Sequence, residues 1–270
     1  MKLLGRGVFL EVRKSKKHEG KVEKKFRFPL REKTAKLLKE DHDTYTASVA
    51  SIVNLPRTEM HLEPGKDGWQ VTVLQDDLSG DGMLLSSFLS SAAGNIDKLN
   101  AYEEMLDKTL GVFRSFGRNK AIKLGIESNP NNWWVRSSGP GIMFFDTVPP
   151  LVCLHGEINR DVLVMQEDPT FFRRVMAFLS RFKLTSKLAE KTIRKYAFDW
   201  PTTVRTLLVK TIACTPQLKD DLIRTARKAI DELGIPKEEQ RKFQKKLSSF
   251  SIRVELFKLR MFNWLDNIGK

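Results

Sequence analysis

Cysteine is almost missing from this chain: Cys153 and Cys214 are the only two in 270 residues, and they form no CxxC pair. A disulfide framework and a cysteine zinc site are therefore excluded, and both thiols read as core or incidental residues. Histidine is scarce as well. His18, His42, His61 and His155 stand apart without HxH or HxxxH spacing, which removes the usual basis for a histidine metal centre. No GxSxG elbow occurs, so a hydrolase triad has no support. Long apolar runs are also lacking. None approaches the roughly 18 uncharged residues of a membrane span, and Arg6 and Glu11 break up the N-terminus where a secretory segment would be apolar. A cytoplasmic address without a transmembrane segment is the resulting expectation. Neither internal repeats nor low-complexity tracts are present.

What the chain does have is a core-forming composition and an excess of positive charge. Its 41% hydrophobic content suffices for one large domain or two lobes. With 47 Lys/Arg against 33 Asp/Glu the net charge is +14, which attracts anionic partners without choosing among nucleotide, nucleic acid, lipid or acidic protein. The basic residues concentrate late, with twenty-two Lys/Arg against nine Asp/Glu between residues 172 and 260. Such charge is ordinarily a solvated helical face. Arg173, Arg174, Arg181, Lys183, Lys187, Lys191, Arg194 and Lys195 are dense enough to suggest docking to an anionic surface or protein partner, or an anionic substrate. No nucleic-acid-reading motif accompanies them, so specific nucleic-acid recognition is not supported.

Periodicity divides the chain near residue 76. Residues 7–12 and 21–28 read as strands around a charged hairpin turn. Ala35, Leu37, Leu38, Tyr45, Val49, Ile52 and Val53 then fall at helical steps until Pro56. Strands near residues 59–62 and 69–74 follow, giving β-β-α-β-β over residues 1–76. Residues 76–82 are polar and glycine-containing, as in a linker. From 77 to 270 the pattern is mainly helical, led by the stripe Leu99, Tyr102, Met105, Leu106, Leu110, Phe113 and Phe116. Residues 125–151 interrupt it with a polar hairpin whose short strands lie near 133–135 and 142–145. The fold class expected is α+β, with a small β-rich N-lobe and a larger helical C-lobe.

Several residues in this layout carry a resemblance. The opening "LGRGVFLEV" resembles a protein-kinase glycine-rich loop, with Gly5, Gly7, Phe9 and Val12 in register and Leu10 in place of the third glycine. Thirteen residues after Val12, Lys25 in "VEKK" resembles the lysine that neutralises nucleotide phosphates. Lys24 is adjacent, but strand alternation sends the two to opposite faces, and Lys25 is assigned the role. Glu40 is the mid-helix glutamate available to pair with it. "IESNPNNWWV" is similar to the kinase catalytic loop, and more closely to that of the aminoglycoside and choline phosphotransferase branch. It places Glu127 on the catalytic aspartate and Asn132 on the metal-binding asparagine. "IMFFD" then looks like the strand leading to the second metal ligand, Asp146.

The resemblance, which spans about residues 4–151, implies a bilobal kinase-like fold binding ATP and Mg²⁺. Lys25 and the glycine-rich loop would hold phosphates, Asn132 and Asp146 the metal, and Glu127 the acceptor hydroxyl. Thr147-Val148-Pro149-Pro150 stands where protein kinases continue into an activation segment, which suits a small-molecule acceptor, an anionic one given the basic helices. The alternative is a pseudokinase-like scaffold that works through its basic helical lobe. Leu10, Glu127, the weakly placed Glu40 and the missing glycine after Asp146 favour it. A nucleic-acid-binding protein of unrelated fold rests on charge alone.

Overall fold

A computed structural model gives the architecture of the chain. It describes residues 3–6, 10–116, 121–127, 129–137, 141–148, 150–154, 199–232 and 237–247, with 252 and 256. The basic residues between 173 and 195 lie outside these, as do Gly7 and Phe9.

The N-terminal part is a five-stranded antiparallel sheet, β1 (Leu3–Arg6), β2 (Leu10–Lys14), β3 (Lys21–Phe26), β4 (Thr58–Gly65) and β5 (Gly68–Asp76), in the order β1-β2-β3-β5-β4. It has one strand more than periodicity showed. β1 is four residues long and contains a glycine, too short for alternation to register. The β4–β5 connection is a two-residue turn, Lys66-Asp67, and Gly68 takes φ 132° with Leu30 main chain 2.8 Å from where a Cβ would stand.

Between β3 and β4 runs α1 (Glu32–Ala50), which packs on β4 and β5. Its buried face is Thr34, Ala35, Leu38, Asp41, His42, Tyr45 and Val49, the three- and four-residue spacing of an amphipathic helix. The first half of this face closes the sheet core of Leu10, Phe26, Leu30, Met60, Val71 and Val73. Its second half, Tyr45 and Val49, joins the larger C-terminal core instead.

That larger core is built around α3 (Asn95–Phe116), with α2 (Leu85–Ser90), α4 (Trp200–Cys214), α5 (Lys219–Asp231) and α6 (Lys237–Lys246). Asp199 caps α4 by accepting from the Thr202 N–H, ahead of Pro201 in the first turn. Two small sheets sit among the helices: β6 (Met83–Leu84), β8 (Trp133–Val135) and β9 (Ile142–Phe144) form one, and β7 (Ile122–Leu124) pairs with β10 (Val152–Leu154) in the other. The observed class is thus α+β, a β-sheet N-terminal region followed by a helical C-terminal region. The 125–151 segment leaves β7 and returns to β10, so its polar hairpin projects from a closed base.

Candidate functional site

The site begins with the alternation of β3. Val22, Lys24 and Phe26 point to the covered face of the sheet and are buried, while Lys25 points to the open face and is exposed. The assignment of the inward lysine to Lys25 is therefore corrected: Lys24 is the one on the covered face. Lys25 lines a shallow groove on the opposite face with Glu11, Arg13, Glu23, Arg27 and Gln70.

Lys24 is only 5% exposed, and its Nζ donates a hydrogen bond to the Phe145 carbonyl at 2.7 Å. Gln75 Nε2 from β5 donates to the same oxygen at 2.9 Å. The Lys24 ammonium also lies over the Phe145 ring, 5.4 Å from its centroid. Burial pulls the Lys24 pKa below the usual lysine value, against the opposing pull of the Asp146 carboxylate.

On the C-terminal side, the 3₁₀ turn Pro130–Asn132 is fixed by the Asn129 side chain, which accepts from the Asn131 N–H. Asn132 is buried, with its side-chain Nδ2 lacking a hydrogen-bond partner. Its carbonyl accepts the Phe145 N–H at 3.1 Å, which sets the turn beside the strand end that leads to Asp146. Burial raises the Asp146 carboxyl to about 6; Lys24 opposes the rise and Glu127 adds to it. Glu127 is exposed, and it faces Lys210 of α4 as well as Asp146. Burial lowers the Lys210 pKa, and the Glu127 charge counters that. The structure thus brings Glu127 and the Asn132 turn close to Asp146, with Lys24 reaching in from the sheet and Lys210 from α4. As an oxygen-donor pair, Asn132 and Asp146 suit a hard cation only with further oxygens from ligand and water. Among the described residues no cluster of three or more His, Cys, Asp and Glu could hold a metal ion by itself.

The helix contributes differently from expectation. Glu40 is on the exposed face of α1 and does not point into the cleft, which corrects its pairing with the phosphate lysine. His42 occupies the inward face two residues on, fully buried, with Nε2 3.4 Å from the Thr147 hydroxyl. Burial pushes His42 down to about 4. Asp43, 3.6 Å from Nδ1, works against this, and the nearby Lys39 and Lys24 charges reinforce it. Gly5 lies in β1 opposite Val12, short of the hairpin tip, and Gly7 falls outside the described residues.

Lys24, Gln75, His42 and Lys210 were missed as site residues. Strand alternation carried the signal for Lys24, because Val22 and Phe26 at two-residue spacing mark its face as the apolar one. The helical repeat that gives Leu38, Tyr45 and Val49 likewise puts His42 inside and Glu40 outside. Nothing in the sequence pairs Lys210 with Glu127 across 82 intervening positions.

Fold and site together define an α+β protein in which a buried lysine from the N-terminal sheet meets the main chain just before a carboxylate of the C-terminal region. The chain belongs to DUF6206, a family of unknown function whose profile matches residues 10–246. No curated protein matches it. Among solved structures it is similar to the Drosophila melanogaster PAN3 pseudokinase, with TM-score 0.42 and 10% identity, over 96% of this chain and 61% of that one. It is also similar to the kinase domain of maize SIRK1, a sucrose-induced receptor kinase, bound to AMP-PNP; the TM-score is 0.42 and identity 14%, over 93% of this chain and 92% of that one.

Proposed function

We propose that this chain is a kinase-like scaffold that acts as a binding module, its interlobe cleft bridged from within. The observation that carries the reading is the 2.7 Å hydrogen bond from Lys24 to the Phe145 carbonyl. A phosphate-holding lysine must offer its ammonium to the ligand. Here the ammonium is buried against main chain from the segment that leads to Asp146, with Gln75 sharing the acceptor. His42, held neutral at physiological pH, faces the cleft from α1 where a kinase would present a glutamate. In this reading the partner is an anionic surface or an acidic protein, engaged through the basic C-terminal region, where Arg224, Arg227 and Lys228 are exposed on α5.

A second reading, an ATP- and Mg²⁺-dependent phosphotransferase with a small-molecule hydroxyl acceptor, is favoured by the meeting of Lys24, Glu127, Asn132 and Asp146 in one cleft. Lys24 rather than Lys25 would then hold phosphate, Asn132 and Asp146 would hold Mg²⁺, and Glu127 would orient or deprotonate the acceptor. Magnesium would supply charge neutralisation of the phosphates.

Thermal unfolding with Mg²⁺–ATP, against ATP with chelator, separates the two. Ligand at about 100 times Kd stabilises by about 2.7 kcal/mol. The scaffold reading expects no such shift at millimolar ATP and no turnover. A Mg²⁺-dependent shift and turnover, both lost in Asp146→Ala, would replace it with the phosphotransferase.

A further inference from the structure

We infer that Phe145 is a built-in plug of the cleft: its carbonyl and ring occupy Lys24 and thereby shut out a phosphate-bearing ligand. The inference rests on the scaffold reading and says what keeps the cleft closed. Every polar or aromatic group of Phe145 is engaged, and by parts of the chain far apart in sequence. Its carbonyl accepts from Lys24 of β3 and Gln75 of β5, and its N–H donates to Asn132 of the 3₁₀ turn. Its ring sits under the Lys24 ammonium and edge-on to Trp134, centroids 6.3 Å apart at 81°. Trp134 is itself tied by Nε1 to the Asp81 carbonyl at 2.8 Å, in the segment that joins β5 to β6.

These contacts amount to a ligand supplied by the chain. A carbonyl oxygen presents partial negative charge to the ammonium, and the ring face presents its quadrupole to the same group, so both stand where an anion would stand. Lys24 is buried against Phe145, so a phosphoanion reaching its ammonium must displace that ring and carbonyl, which lowers its apparent affinity by the fraction of open molecules. Because the neighbouring residue is Asp146, opening the plug also moves a carboxylate whose burial already disfavours its charge. The next residue, Thr147, is held near His42, so release runs through the whole 145–147 segment.

The experiment measures Mg²⁺–ATP affinity for the full chain, by thermal shift and by fluorescence of a trinitrophenyl-ATP probe. It compares wild type with Phe145→Ala, Gln75→Leu, the double variant, and the double variant carrying Lys24→Met. The plug predicts that affinity rises by about tenfold or more in the double variant and less in each single one, and that Lys24→Met removes the gain. Hydrogen exchange at the Phe144 and Phe145 amides should quicken in the same variants. Faster exchange without a gain in affinity overturns the plug and leaves the scaffold reading standing. Tight wild-type binding with Lys24-dependent turnover overturns both. If the double variant does not fold, Phe145→Leu, which keeps apolar bulk but loses the ring, decides in the same way: a gain supports the plug, and unchanged affinity overturns it.

Discussion

Replacing Lys24 by methionine should cost about 2 kcal/mol, because a charge-assisted hydrogen bond in a buried site is lost and Asp146 loses its counter-charge. Lys25→Met, one residue on and exposed, should stay within about 0.5 kcal/mol of wild type. Urea denaturation of the pair checks which lysine faces the cleft. His42 adds a pH dependence. Its folded pKa is lowered to about 4 from 6.5, so the neutral form is favoured by folding, and the stability this supplies is complete above pH 6.5 and lost as pH falls through 4. The loss amounts to about 3 kcal/mol. Asp146 acts with the opposite sign. Its folded pKa is raised to about 6, so ionising it on the way up through that pH costs stability. Denaturation midpoints between pH 4 and 7 should therefore rise with pH in Asp146→Asn, where His42 acts alone, and fall in His42→Gln, where Asp146 does. The same slope in both variants would refute the opposed pair.

At the scale of elements, the small sheet β6-β8-β9 depends on one backbone approach. Gly82 has φ 117°, and a Cβ there would lie 1.9 Å from the Val135 carbonyl oxygen and 2.9 Å from Trp134 Nε1. Gly82→Ala should cost more than about 2 kcal/mol, since both the left-handed backbone and the clash with main chain resist it. Chemical unfolding checks the value, and loss of the Trp134 Nε1 to Asp81 hydrogen bond in an indole-proton spectrum checks the cause. Elements also mark how far the sequence was legible. α1, α3 and the β8–β9 hairpin are long or strongly patterned and stand where periodicity puts them. β1, β6, β7 and β10 are two to four residues long, less than two alternations, and their pairing partners lie well away in sequence for β6, β7 and β10. The candidate site's Glu127, Asn132 and Asp146 were legible through their resemblance to kinase motifs. Its two lysines were not: choosing between Lys24 and Lys25 needed the sheet's covered face, and Lys210 comes from a helix whose place is decided only by tertiary packing.

For the molecule as a whole, α1 matters most because it belongs to two cores. Ala35 and Leu38 close the sheet, while Tyr45 and Val49, with Val53 just beyond the helix, are packed among the helices. The Tyr45 hydroxyl further donates to the Gly125 carbonyl at 3.1 Å. Neither lobe can lose its structure without stripping half of this helix of its burial. Calorimetry should show a single transition with equal calorimetric and van't Hoff enthalpies, whereas two resolved transitions would mean that the lobes are energetically separate.

The pairing of β7 with β10 has a consequence for divergence within the family. The chain enters the 125–151 segment and leaves it through two adjacent antiparallel strands, with Leu124 opposite Val152. Lengthening the segment between them leaves the anchor points in place, and the entropic cost of a longer closed loop grows only slowly with its length. The loop can therefore gain residues without parting β7 from β10, whereas β8 and β9 inside it are fixed by the core they help to build.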